Sequence, residues 1–298
     1  MSYTNQRLLV TGASGQLGSR VVQFLLTLCP ASQIVATARD PQRLAGFAAK
    51  GVTTRCLDYT NPASIREACQ DVERLLLISS SALGQRINQH RAVIDAAKQV
   101  GIQLFVYTSV LGATTIHHPL LRDEHGQTEV HIRQSGLPYV LLRNGWYTEN
   151  YTAGIPQAVT HGEVLGCAGQ GRISGASRDD YALAAAHVLA SSQPQPGSTY
   201  ELAGDSAFTL DEFAAEVSQQ ASKSIVYRNL SEADYIARLQ HVGLPREIAV
   251  FIAQSDTAAA HGSLYNDSKT LHTLIQRPTT SLKDLVATAL ATTNAHRA

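Results

Sequence analysis

The sequence has no excess of charge of either sign. Its 24 Lys and Arg balance 24 Asp and Glu, and no Lys/Arg-rich run occurs. That excludes the basic field a nucleic-acid partner requires. Aromatic residues make up only 6% of the chain, too few for a platform on which single-stranded bases stack. No apolar run approaches the roughly 20 residues needed to span a bilayer, so no membrane association is expected. A first strand starting at residue 7 leaves no room for a signal peptide. The four cysteines (Cys29, Cys56, Cys69, Cys167) have no paired spacing, which fits small core residues in a reduced, cytoplasmic setting.

Three catalytic signatures are also missing. No G-x-S-x-G elbow is present, which excludes a serine hydrolase of that type. Among the 11 histidines, His117–His118, His125 and His131 come nearest to a metal site. Adjacent histidines point apart, the other two fall on different helix faces, and no Cys or carboxylate cluster completes a set, so no metal is expected. The Tyr-x-x-x-Lys pair of ordinary short-chain dehydrogenases, in which lysine lowers the tyrosine pKa, occurs only at Tyr265 and Lys269. That is far beyond the fifth-strand region where the pair should stand. Its absence argues against alcohol–ketone interconversion with a strong proton donor.

What is present begins at residue 8. Leu8, Leu9 and Val10 are an apolar run. Gly12, Gly15 and Gly18 follow as G-x-x-G-x-x-G, and Val21, Val22, Leu25 and Leu26 then have helical spacing. Strand, glycine turn and helix in direct succession place a dinucleotide pyrophosphate on a helix N-terminus. The first glycine turns the chain, the second lets backbone N–H groups approach phosphate, and the third lets the helix pack close to the sheet. Residues 34–38 read as a second strand. It ends at Arg39 instead of the acidic residue that would hold a ribose 2′-hydroxyl. A guanidinium there meets a 2′-phosphate, which favours NADPH over NADH. Asp40, turned inward, would oppose that preference.

With 44% apolar and 16% charged residues over 298 positions, the chain can form one large α/β domain plus a small second region. Strands are expected at 7–10, 34–38, 52–57, 74–78, 103–108 and 139–142, alternating with helices. This is a doubly wound parallel (Rossmann) sheet. Ligands then sit outside the C-terminal strand ends, at 11–18, 39–40, Asp58, 79–85, 108–114 and 143–151. Residues 1–150 are read as the dinucleotide-binding domain and 151–298 as a smaller, mostly helical substrate-side region. A strand near 199–204 returns to the first sheet. A helix at about 210–221 is expected with Thr209 as N-cap and Glu212 at its third position. Residues 231–262 also read as helical, and 175–190 as scaffold.

The motifs VTGASGQLG (10–18), PASQIVATARD (30–40), LLLISSSALGQR (75–86), YTSVLGA (107–113), LLRNGWYTENY (141–151), YELAGDSAFTL (200–210), NLSEAD (229–234) and DSKTL (267–271) run nearly end to end. Through them the chain resembles the NmrA-like branch of the atypical short-chain dehydrogenases, and most of all its NADPH-dependent quinone-reducing members. The resemblance implies that Thr11, Gly12, Ala13, Ser14, Gly15, Gln16, Leu17 and Gly18 wrap the pyrophosphate. Arg39 would hold the 2′-phosphate and Asp58 would sit near the adenine. Ser79 and Ser80 would border ribose and nicotinamide, and Tyr107 with Asn144 to Tyr147 would line the nicotinamide and substrate pocket. Some relatives carry a lysine on the helix around 123–129. Here His125 or Gln127 stands in its place.

Quinone reduction asks less of a proton donor, because hydride addition gives a delocalised hydroquinone anion. Asn144 is the expected donor to it, with Tyr107 or Tyr147 as the alternative. Trp146, the one tryptophan, is either an apolar wall of the pocket or a core residue at the domain junction. Asn144 is otherwise a polar cap on its strand. The acceptor is expected to be a quinone or a similar flat molecule, with no flavin and with a homodimer as the default assembly. The reading from another class is a redox regulator that senses NADP(H) and binds a protein partner without turnover.

Overall fold

The computed structural model describes residues 2–295. Its strands are β1 (Leu8–Val10), β2 (Ile34–Ala38), β3 (Thr53–Cys56), β4 (Arg74–Leu77), β5 (Leu104–Val110), β6 (Tyr139–Asn144), β7 (Glu163–Gly166), β8 (Thr199–Leu202) and β9 (Val226–Asn229). Seven of them form one parallel sheet in the order β3-β2-β1-β4-β5-β6-β8. These strands read as apolar runs because helices cover both faces. Every residue of β1, β2 and β5 is buried.

The two-residue period of the strands sorts their side chains. Leu8, Val10, Ala36, Val106, Leu142 and Leu202 face the helices Gln16–Leu28 and Arg178–Ala190. Leu9, Val35, Leu75, Phe105, Tyr107 and Leu141 face the helices Arg86–Val100 and Pro119–Ser135. The Arg178–Ala190 helix starts with a Ser177–Asp180 capping box. Its run of alanines lets it lie close along the Gln16–Leu28 helix, which it completes as a layer.

Expected and observed strand ends differ where the residues are polar. β5 runs to Val110 and β6 to Asn144, each two residues past the expected end. The extension is held by a row of polar side chains. Ser109, Arg143 and Glu201 stand side by side in register. Buried Glu129 accepts from Ser109 Oγ at 2.7 Å and from Arg143 Nη2 at 2.7 Å, and Arg143 Nη1 reaches Glu201 at 2.6 Å. Burial pushes the Glu129 carboxyl up, and its bonds to Arg143 and Ser109 more than reverse that.

β8 returns beside β6 as expected, so Leu202 lies opposite Asn144. The helix Leu210–Ala221 has the expected Thr209–Glu212 capping box. The span 231–262 is two helices, Glu232–His241 and Arg246–Ala260, broken at Gly243 (φ +92°) and Pro245. The parallel pair β7–β9 was not expected. Both strands are four residues long and largely solvent-accessible, so neither shows an apolar run. No helix among the described residues is long and apolar enough to cross a membrane.

Candidate active site

The glycine turn leaves β1 at Thr11. Gly12 has φ +59°, a left-handed conformation that suits glycine. Gly15 is the N-cap of the Gln16–Leu28 helix, which has no side-chain cap and no acidic residue in its first turn. Its leading N–H groups therefore remain available to an anion. A Cβ on Gly18 would lie 2.4 Å from the Gly12 carbonyl oxygen. The third glycine thus lets the helix press against the turn itself. The Thr11 hydroxyl accepts from the Ile78 N–H at 2.9 Å and lies 2.6 Å from the Tyr59 hydroxyl. This ties the ends of β1 and β4 together.

Arg39 ends β2 with an exposed side chain, and no carboxylate among the described residues lies within ion-pair distance of it. Asp40 acts locally. Its carboxylate accepts from the Gln42 N–H at 3.0 Å and caps the following turn. Asp58 follows β3 and accepts from the Thr60 N–H at 2.9 Å and hydroxyl at 2.8 Å. Those bonds, with a smaller contribution from the Arg39 charge, hold its carboxyl below the usual range. Past β4, the Ser79 N–H donates to Thr108 Oγ1 at 2.9 Å. Ser80 is gripped from both sides: its N–H donates to His90 Nε2 at 2.9 Å, and its carbonyl accepts from Arg86 Nε at 2.5 Å.

Beneath that loop lies a buried polar network that the sequence does not announce. Arg86 pairs with Glu124 at 2.8 Å. The Thr128 hydroxyl donates to the Glu124 carbonyl at 2.7 Å, so at 3.0 Å it accepts from His90 Nδ1. His90 is therefore the neutral Nδ1–H tautomer, with Nε2 free to accept from Ser80. Burial, helped by the Arg86 charge, brings its pKa down to about 3. The same two causes pull His125 well below its ordinary value. The Tyr107 hydroxyl lies 2.7 Å from His125 Nδ1.

Tyr107 thus departs from the sequence expectation. It is 0% exposed, on the same strand face as Phe105 and Leu141, and burial drives its phenol strongly up. Its side chain packs in the core layer between the sheet and the helices Arg86–Val100 and Pro119–Ser135. The helix around 123–129 turns Glu124, His125, Thr128 and Glu129 inward.

Asn144 ends β6. It is 4% exposed; Nδ2 lies 3.5 Å from the Tyr147 hydroxyl, and Oδ1 has no partner. The Tyr147 ring packs edge-on to Tyr181 at 5.3 Å and carries the Arg178 guanidinium 4.7 Å from its centroid. Burial raises the Tyr147 phenol, against the Asn144 bond and the Arg178 charge.

Beside these residues opens a cavity of about 930 Å³. It reaches from Gln16, on the phosphate-facing helix, past Trp146 to Tyr151, Tyr235, Phe251 and Asp256. Trp146 stands on its wall. Asp256, Tyr151 and Tyr235 were not singled out from sequence, because Asp256 sits in the polar stretch Gln254–Thr257 and carries no local signal. Burial pushes the Asp256 carboxyl up to about 6 against a bond from the Cys167 N–H.

The described residues hold no cluster of three or more metal ligands. They do fit a phosphorylated dinucleotide: a cradle a Cβ would fill, an uncapped helix N-terminus, an unpaired Arg39 and an orphaned Asn144 amide oxygen.

Known proteins agree with that fit. Residues 12–192 match the family described as NAD(P)H-binding. Quinone oxidoreductase 2 of Escherichia coli is 52% identical over 93% of this chain and 96% of its own length. The crystal structure of an NADPH-dependent quinone oxidoreductase from that organism, complexed with NADPH, superposes with a TM-score of 0.92 at 50% identity, covering 95% of this chain and 99% of that one. The triphenylmethane reductase of Citrobacter sp., complexed with NADP(H), follows at a TM-score of 0.90 and 34% identity, with coverage of 95% and 99%. The negative transcriptional regulator NmrA has a TM-score of 0.79 at 14% identity, over 99% of each chain, a likeness of fold alone.

Proposed function

The chain belongs to the NAD(P)H-binding family, and from that membership we infer that it is an NADPH-dependent oxidoreductase that delivers hydride to a quinone, without flavin. The observation that carries this reading is the uncapped glycine turn at the mouth of an aromatic-walled cavity, in a chain half identical to a quinone oxidoreductase. The regulator reading draws on a protein only 14% identical, and it falls behind.

When bound, NADPH supplies the hydride from its reduced nicotinamide. Residues 1–150, with the returning Arg178–Ala190 helix and β8, form the half that holds it, and 151–298 otherwise form the substrate side. Thr11 to Gly18 hold the pyrophosphate through backbone N–H groups, and Arg39 takes the 2′-phosphate. Asp58 stands toward the adenine, and Ser79 and Ser80 border the ribose and nicotinamide. The Asn144 amide donates to the acceptor oxygen as negative charge develops there. Tyr147, kept protonated by burial, is the second donor. Trp146 gives the flat acceptor an apolar wall and excludes water. The unpaired thiols suit a cytoplasmic setting, and a homodimer is the assembly that sedimentation of the purified protein checks.

The test is loss of reduced-nicotinamide absorbance when purified protein meets NADPH, or NADH, with a small para-quinone. Rapid loss with NADPH is expected, and no loss with either cofactor sinks the reading. Arg39→Ala is expected to raise KM for NADPH roughly 10- to 100-fold, the worth of a charge-assisted pair, and to leave KM for NADH in place. An equal rise for both cofactors would remove Arg39 from the 2′-phosphate. Asn144→Ala is expected to lower kcat about 100-fold with little change in NADPH affinity; full turnover in that variant would move the donor role to Tyr147.

A further inference from the structure

Asp256 is an unusual buried acid. It is 3% exposed, on the Arg246–Ala260 helix, and lines the cavity. Its Oδ2 accepts from the Cys167 N–H at 2.9 Å. No Lys, Arg or His among the described residues pairs with it. The titratable groups that feel its charge are Tyr151, Tyr227, Tyr235 and Cys167, all neutral when protonated, and Glu232 lies nearby on the next helix. The buried Tyr151 hydroxyl turns toward the same carboxyl and favours its charged form. A buried carboxyl is normally matched by a cation or a full set of donors. Here the protein supplies the Cys167 N–H and the Tyr151 hydroxyl but, among the described residues, no cation.

The walls of the cavity give the complement. Trp146, Tyr151, Tyr235 and Phe251 line it together with Ile252. Aromatic faces around an acid are the composition that holds an organic cation, through ring quadrupoles on the sides and a charge at the base. The arginines at the other end of the cavity do not oppose this. Arg20 is paired with Asp179 at 2.7 Å and Arg178 with Glu149 at 3.7 Å.

We propose that Asp256 and these aromatic walls form a binding site for the cationic group of a flat aromatic molecule, and that Asp256 sets a preference for cationic over neutral acceptors. As a statement about acceptors this rests on the oxidoreductase reading above. As a statement about binding it stands alone. The site is occupied by a substituent that cannot lose its charge, such as an alkylated ammonium, with the attached ring directed toward Trp146 and the glycine turn.

The experiment is calorimetric titration of the full-length protein, saturated with NADP+ so that nothing turns over, with phenyltrimethylammonium. The neutral isostere tert-butylbenzene is the control. Binding of the cation is expected, weakened roughly 10- to 100-fold in Asp256→Asn, with the neutral control bound no worse by the variant than by the wild type. Asparagine can still accept from the Cys167 N–H, so the fold is expected to persist. If that variant fails to fold, Tyr235→Ala removes one half-buried wall and is expected to weaken the cation roughly fivefold. No binding by the wild type, or equal binding by the variants, overturns the proposal. Wild-type turnover with NADPH and the para-quinone reads the oxidoreductase assignment separately, so the two can fail independently.

Discussion

Gly18→Ala is expected to weaken NADPH binding about 100-fold and to lower stability. Its new Cβ would lie 2.4 Å from the Gly12 carbonyl oxygen, 2.8 Å from the Gly12 carbonyl carbon and 2.9 Å from Ala13 Cα. All three are backbone atoms, so no side chain can swing away. Either the helix must withdraw or the turn must open, and overpacking of this kind costs about 1–3 kcal/mol. Function should suffer more than the fold, because the displaced atoms are those proposed to meet the phosphates, and a 1 Å misplacement can cost about 100-fold. Fluorescence titration with NADPH and a thermal melt measure the two effects. Gly46→Ala is the control, since nothing lies within 4 Å of its added Cβ. Unchanged NADPH affinity in Gly18→Ala would mean the glycine turn is not the phosphate site.

Acid should destabilise the protein early, beginning near pH 6.5. His90 titrates near 3 in the folded chain, against 6.5 for the unfolded one. His125 is shifted in the same direction, by burial first. Below pH 6.5 the unfolded chain binds protons that the folded chain refuses. Stability is therefore complete above that value and falls as pH drops toward 3, by about 1.4 kcal/mol per pH unit for His90, with His125 acting in the same direction. Asp256 works the other way. Its folded value of about 6 lies above the unfolded 3.8, so it returns stability as pH falls from 6 to 4. Between pH 6.5 and 4.5 His90 alone costs roughly 3 kcal/mol and Asp256 returns roughly 2, and His125 adds to the loss. Urea midpoints at steps from pH 7.5 to 4.5 measure it. His90→Gln should remove about 1.4 kcal/mol per pH unit from the slope below pH 6.5 while costing stability at neutral pH. A flat curve in the wild type would show that these imidazoles are not held neutral.

The strand–helix alternation, the glycine turn and the Thr209–Glu212 cap could be read from the chain because each has a local signal. IVATA is β-branched and apolar, and it forms β2 over Ile34–Ala38. Thr209 with Glu212, and Ser177 with Asp180, are caps that act within four residues. The facing of Tyr107 was not legible. Both faces of a parallel sheet are apolar, so the two-residue period shows that Tyr107 shares a side with Phe105 and Ser109 but not which side. β7 and β9 failed for the opposite reason, being short, exposed and weakly patterned. The cavity assembles Trp146, Tyr235 and Asp256 from far apart in the chain, and no local pattern announces a meeting that only tertiary packing brings about.

The return of the Arg178–Ala190 helix and β8 to the first layer has a consequence for how the protein is made. The glycine turn leaves the ribosome well before its neighbours, and the Gln16–Leu28 helix lacks its packing partner until residue 190 has followed, as β6 lacks its outer neighbour until residue 202. A nascent chain of 150 residues would carry Val21, Val22 and Leu25 bare and a strand edge open. Such surfaces are slow to satisfy and prone to aggregate. A segment made early is completed late, when residues 178–202 close its layer.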